Sequence, residues 1–331
     1  MKKNLFLLLL GLNSLIYAQE PVNSKGAYLG QKPPGDTAQL FAPEIMQHKV
    51  HSCPTFITDG KEIYWSSVCE PDELRRIMVM RYENNQWSAP QVASFSGKYH
   101  DDQPFISYDG RKLFFASKRP KTPGGQGNLD LWYCNKTDNG WSEPTLLNNS
   151  IGRWTPSITR NGTLYFTDIV SDAQTKGYKE DAVGIFRSEL INGTYSTPEL
   201  LPENINTKEF HDWTPFIAED ESYLIFSSNR TGGYGYGDLY ISYRDKNGTW
   251  DEPINMGSRI NTRTQERFPG VSPDGKYLFF TRWYGSSCYH DLYWIEAKAV
   301  LPHLIGTFER ENSSRAENSI EVSGHSHNTG R

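Results

Sequence analysis

Five segments of this chain repeat a single pattern, a proline followed five or so residues later by a turn. They are CPTFITDG from Cys53, QPFISYDG from Gln103, TPSITRNG from Thr155, TPFIAEDE from Thr214 and FPGVSPDG from Phe268. The prolines Pro54, Pro104, Pro156, Pro215 and Pro269 stand 50, 52, 59 and 54 residues apart. A period of that length means one supersecondary unit used many times over, with each unit burying its apolar face against its neighbours. This rules out two independent domains more firmly than the length of 331 residues does.

Each turn leads into a short aromatic and aliphatic run: EIYWSS, KLFFAS, TLYFTD, YLIFSS or YLFFTR. The runs are too short for helices and follow Asp-Gly or Asn-Gly chemistry in most copies, so each segment reads as a β-hairpin. A loop of variable length, glycine-rich around Gly124 and Gly232, precedes a third run: RIMVMR, DLWYCN, VGIFRS, DLYISY or DLYWIE. A fourth element, an aromatic followed three residues on by Pro, occurs at Trp87-Pro90, Trp141-Pro144, Tyr195-Pro198 and Trp250-Pro253. Four short antiparallel strands per ~50 residues make the blade of a β-propeller. The fifth copy lacks its fourth strand, and Leu40-Phe41-Ala42-Pro43 supplies a matching segment 11 residues before Pro54. The expected fold is therefore all-β, with five four-stranded blades over residues 27–305 and the N-terminal strand closing the last blade.

At this level the chain resembles the WD40-like PD40 repeat of TolB-type β-propellers. The resemblance rests on SPDGKYLFF from Ser272, IFSSNRTGGYGYGDLYIS from Ile225 and GTWDEPINMG from Gly248. It is nearest to exported PD40 proteins of the Bacteroidetes kind, whose leading segment is similar to Tyr28–Gly35 and Phe41–Pro43 here. A six-bladed, TolB-like count is the alternative that the resemblance brings. The third copy departs from the pattern with Asn161-Gly162 and the fourth with Asp220-Glu221. The helical N-terminal domain of TolB has no counterpart, so TolB's envelope role is not carried over.

The flanking segments read differently. Residues 1–18 have a basic start (Lys2, Lys3), an apolar stretch from Leu5 to Leu12 and Ala18 at a cleavage position, the make-up of a signal peptide. The apolar stretch falls well short of the roughly 20 residues a membrane span needs, and no cysteine follows the cleavage point. The expected location is the periplasm or the exterior, with residues 19–26 flexible and 306–331 a disordered polar tail, in which His325 and His327 are expected to be inert. Without Lys2 and Lys3 the chain carries 32 basic and 39 acidic residues. That balance, with no basic run, speaks against nucleic acid. The four cysteines, Cys53, Cys69, Cys134 and Cys288, are too few for a disulfide scaffold, and no disulfide is expected among them.

Most repeated residues read as structural: the aromatic pairs pack between sheets, and Asp59, Asp109 and Asp274 form turns. Candidate functional residues come from the start of each inner strand. Three residues before the prolines stand His51, Asp101, Arg153, Asp212 and Glu266; one step further out are His100, His211 and Gln265. Trp154, Trp213 and Arg267 occupy the second position before their prolines. Such a ring at one channel mouth offers acids, imidazoles and aromatic faces to a ligand. The leading expectation is a monomeric, non-catalytic binding module for an envelope protein, a peptide or a glycan, with no cofactor. The competing one is a polysaccharide-active enzyme at the same mouth. As a glycoside hydrolase it would use Asp101, Asp212 and Glu266 as acid, base and modulator. As a lyase it would hold a divalent metal on His51, His100, His211 and Gln265, with Arg153 or Arg267 near a substrate carboxylate. No HExxH or GxSxG spacing supports another hydrolase class.

Overall fold

The computed structural model describes residues 25–46, 50–69, 74–147, 152–170, 177–178, 181–285 and 290–301. The signal-peptide reading of 1–18 and the tail after 306 lie outside the described residues. No helix among the described residues is long and apolar enough to cross a membrane.

Five antiparallel sheets follow one another along the chain as the five blades of a propeller. The inner, second and third strands are Thr55–Phe56, Glu62–Cys69 and Leu74–Glu83 in blade 1, and Asp101–Ile106, Lys112–Ser117 and Asp130–Thr137 in blade 2. They are Trp154–Ile158, Leu164–Ile169 and Val183–Ser188 in blade 3, and Asp212–Ile217, Tyr223–Ser228 and Asp238–Tyr243 in blade 4. Blade 5 has Gln265–Val271, Tyr277–Trp283 and His290–Glu296. Two-residue outer strands complete blades 1 to 4 at Gln91–Val92, Thr145–Leu146, Glu199–Leu200 and Ile254–Asn255. In blade 5 that place is taken by Gln39–Leu40, paired with Trp294 and Tyr293. The ring is thus closed by its own N-terminal segment, as the displaced FAP motif predicts, and the last blade has no bare edge there.

Alternation along the second strands explains the aromatic pairs, because neighbouring residues of a strand face opposite sides of a sheet. Trp65 enters the core between blades 5 and 1, and Tyr64 the core between blades 1 and 2. Phe115 joins Tyr64, while Phe114 lies with Phe166 between blades 2 and 3. Tyr165 and Phe226 share the next interface, Ile225 and Phe280 the one after, and Phe279 returns to Trp65. All ten residues are buried. The aromatics that precede the outer strands tie successive blades: Trp141 Nε1 donates to Tyr64 Oη at 2.8 Å, and Trp250 meets Tyr165 edge-on.

The repeated proline marks a bulge. In blades 2 to 5 the register of the inner strand shifts across the residue before the proline and the proline itself. Gln103, Thr155, Thr214 and Phe268 adopt φ of 54°, 52°, 52° and 49°, a conformation that costs non-glycine residues energy. The inner strand is an edge facing the channel, the place in a sheet where proline is tolerated. The bulged N–H groups are capped across the blade boundary. Ser66 Oγ accepts from Gln103 N, Gln103 Oε1 from Thr155 N, Thr167 Oγ1 from Thr214 N and Thr214 Oγ1 from Phe268 N. The turns after the bulge use one device throughout, a side-chain oxygen accepting from the N–H two residues on. Asp59, Asp109, Asn161, Asp220 and Asp274 all do so, and the two departures from Asp-Gly therefore preserve the turn.

Cys53 and Cys134 are buried free thiols. Burial raises both thiols, Cys134 to about 12.

Candidate functional site

In blades 2, 4 and 5 the inner strand runs from the candidate ring at one end of the channel past its proline to a turn at the other end, while in blades 1 and 3 it begins only after the ring residue. The three ring carboxylates are fully buried and anchored within their own blades. Asp101 accepts from Ser96 Oγ at 2.8 Å, Ser117 Oγ at 2.6 Å and Arg119 Nη2 at 2.8 Å. Asp212 accepts from Thr207 N and Oγ1 at 2.7 and 2.9 Å and from Arg230 Nη2 at 2.8 Å. Glu266 accepts from Thr262 N and Oγ1 at 3.1 and 2.7 Å and faces Arg282 at 3.3 Å. Burial pushes the Glu266 carboxyl up, opposed by the Thr262 hydrogen bonds. Blade 3 inverts the polarity, with Arg153 in the acid's place and Asp168 facing it at 3.1 Å from the second strand. Each of the three residues expected as acid, base and modulator of a glycoside hydrolase thus accepts a hydrogen bond from the loop that leads into its own inner strand.

The fifth ring member, His51, belongs to a different cluster. Its Nδ1 lies 3.1 Å from Oδ1 of Asp102 in the next blade. Asp102 also accepts from Arg75 Nη1 at 2.6 Å and from Gln103 N at 2.9 Å. Despite burial, the charges of His51 and Arg75 hold the Asp102 carboxyl far below the usual range. The His51 ring lies 5.0 Å from that of His290, whose Nδ1 meets Thr281 Oγ1 at 2.9 Å. Burial lowers both imidazoles, His290 the more, and lowers His100 to about 4. Arg267 stacks over Trp213 at 5.3 Å and Phe268 at 5.9 Å, and desolvation lowers its guanidinium to about 10.

The expected metal set is not brought together. His51 Nδ1 is engaged by Asp102, and His211 Nδ1 accepts from Val183 N at 3.2 Å. Gln265 is buried beside Gly237 in a bridge between blades 4 and 5. Among the described residues no three His, Cys, Asp or Glu side chains are grouped to hold a metal ion. Trp154 is half-buried, while Trp213 is buried. Sequence reading missed Asp102, Arg75 and His290. Asp102 carried a signal, since it shares the second position before a proline with Trp154, Trp213 and Arg267. Arg75 and His290 begin third strands and have no register that links them to the channel.

Toward the turns the channel opens into a cavity. A cavity of about 680 Å³ is lined by all five repeat prolines. Phe56, Phe105, Phe216 and Phe268 add apolar wall, and Tyr28, Tyr108 and Val271 stand nearer the turns. Tyr108 Oη donates to the Ile217 carbonyl two blades away at 3.1 Å, and Tyr28 Oη to Asp274 at 2.7 Å. The rim carries Asp59, Arg160, Glu219, Asp274 and Lys276, with Arg160 paired to Glu219 at 2.6 Å and Lys276 to Asp274 at 3.1 Å.

No family model matches the chain, and no curated protein matches it. Among solved structures it is similar to TolB from Acinetobacter baumannii, at 16% identity and a TM-score of 0.47 over 76% of this chain and 58% of that one. It is also similar to the GH43 endo-arabinanase from Bacillus licheniformis, at 15% identity and a TM-score of 0.44 over 76% and 94% of the two chains. An alpha-L-arabinofuranosidase from Lactobacillus brevis gives 13% identity and a TM-score of 0.47 over 76% and 91%. The chain thus spans less than two thirds of the TolB chain, and likenesses at this level say nothing of activity.

Proposed function

We propose that this protein is a non-catalytic binding module of the cell envelope or exterior that takes a peptide, protein loop or glycan into the open end of its channel. The cavity with its ring of five prolines carries the reading. Its volume lies within the ~300–1,000 Å³ range of ligand pockets, and its wall is apolar beneath a rim of paired charges. A rigid ring lets turns at the rim vary without disturbing the interblade cores. The enzyme alternative loses support because the carboxylates it needs already have their hydrogen-bonding capacity engaged within their blades.

The test is a calorimetric screen of peptides and envelope oligosaccharides against the wild type and Thr58→Trp. Thr58 is an exposed lining residue at the rim, so the larger ring narrows the mouth without entering a core. Ligands of the wild type are expected to bind the variant at least about tenfold more weakly, ~1.4 kcal/mol. Ligands that bind both proteins equally would refute this location.

A further inference from the structure

At the ring end of the channel two buried donors lie close together without acceptors. Trp213 Nε1 and Arg267 Nε are both buried and unpartnered. The guanidinium lies over the indole at 5.3 Å. They occupy the same position, two before the proline, on the adjacent inner strands Asp212–Ile217 and Gln265–Val271. Buried donors nearly always find partners, and the half-buried Arg267 forms no ion pair with a carboxylate among the described residues.

The neighbouring acids are committed elsewhere. Asp102 is held by His51, Arg75 and Gln103 N; Glu266 by Thr262, Thr264 and Arg282; Asp212 by Thr207 and Arg230. The other groups facing Arg267 are themselves basic, namely Arg75, His51 and His290. Two further orphaned indoles, Trp132 and Trp294, sit in apolar cores, and the guanidinium over Trp132, that of Arg119, is paired with Asp101.

We infer that Trp213 and Arg267 form a subsite for a small oxyanion, a carboxylate, phosphate or sulfate group borne by a ligand or free in solution. The guanidinium supplies charge and paired donors, as it does for planar or tetrahedral oxyanions elsewhere. The indole N–H adds a neutral donor. The subsite lies at the opposite end of the channel from the open cavity and stands or falls independently of it.

The experiment follows the indole N–H resonance of Trp213 in ¹⁵N-labelled full-length mature protein, assigned by its disappearance in Trp213→Phe. Acetate, inorganic phosphate and sulfate are titrated separately, with chloride holding ionic strength constant. At least one is expected to shift the resonance saturably at millimolar concentration, and which one identifies the oxyanion class. Arg267→Met is expected to weaken that binding at least tenfold and Arg267→Lys to keep part of it. The inference is overturned if no anion gives a saturable shift, the outcome expected if water fills the site, or if Arg267→Met binds as the wild type does. It also falls if Arg267→Met does not fold, because the guanidinium is then a strut rather than a receptor.

Discussion

Asp101, Asp212 and Glu266 stand where a ring of catalytic acids would be sought, yet each ties a loop to its own blade. Removing one partner of such a buried pair strands a charge, at a typical cost of ~3–5 kcal/mol. Arg230→Met, which leaves Asp212 with only Thr207, is therefore expected to lower the melting temperature by about 6–20 °C. Calorimetry checks it, and a shift under a degree would mean that Asp212 is solvated. The histidines give a second residue-scale expectation. His51, His100 and His290 have imidazoles lowered in the folded protein, so between about pH 6.5 and 4 the unfolded chain binds more protons than the folded one. Stability is complete above that window and falls as pH drops through it, by at most ~1.4 kcal/mol per pH unit for each histidine. Asp102, depressed instead, loses its contribution only below the ordinary carboxylate range. Urea denaturation at pH 7 and pH 5 should show the loss, and His290→Gln should make it shallower; equal slopes would exclude His290.

The elements were legible in the sequence to unequal degrees. Strand order and closure followed from the repeat, because a missing fourth strand at one terminus and a spare FAP segment at the other have only one economical arrangement. The bulge was foreshadowed by proline inside a strand, but its positive φ and its cap across the blade boundary were not, since neither alters residue periodicity. Blade 2 exposes the logic of the cap. Ser66 and Thr167 occupy the position that Ala116 fills in blade 2, and there Gln103 Oε1 reaches the Thr155 N–H instead. Gln103→Ala should thus cost ~1–3 kcal/mol by orphaning a buried N–H. Ala116→Ser in that background should restore a good part of it, as measured by denaturant midpoint. No recovery would mean that the hydroxyl cannot reach the bulge. The site was the least legible level: a position shared by five inner strands says which side chains share a channel end, but not whether their capacity is already spent.

At the scale of the whole molecule, closure by Gln39–Leu40 and docking of Tyr28 among Phe56, Tyr277 and Trp294 make the N-terminal segment part of the ring. A chain starting after Ala42 should expose the outer edge of blade 5 and associate or aggregate, where a chain that keeps residues 25–42 does not; gel filtration distinguishes the two. The channel that results holds the histidine cluster toward one end and the proline-lined cavity toward the turns. Mapping a bound ligand by amide chemical shifts, with mass spectrometry of that ligand over the same period, tests this arrangement most directly. Perturbations centred on Thr58, Phe105, Arg160 and Val271, with the ligand intact, are the predicted result. Perturbations centred on Asp101, Asp212 and Glu266, accompanied by cleavage of the ligand, would contradict it.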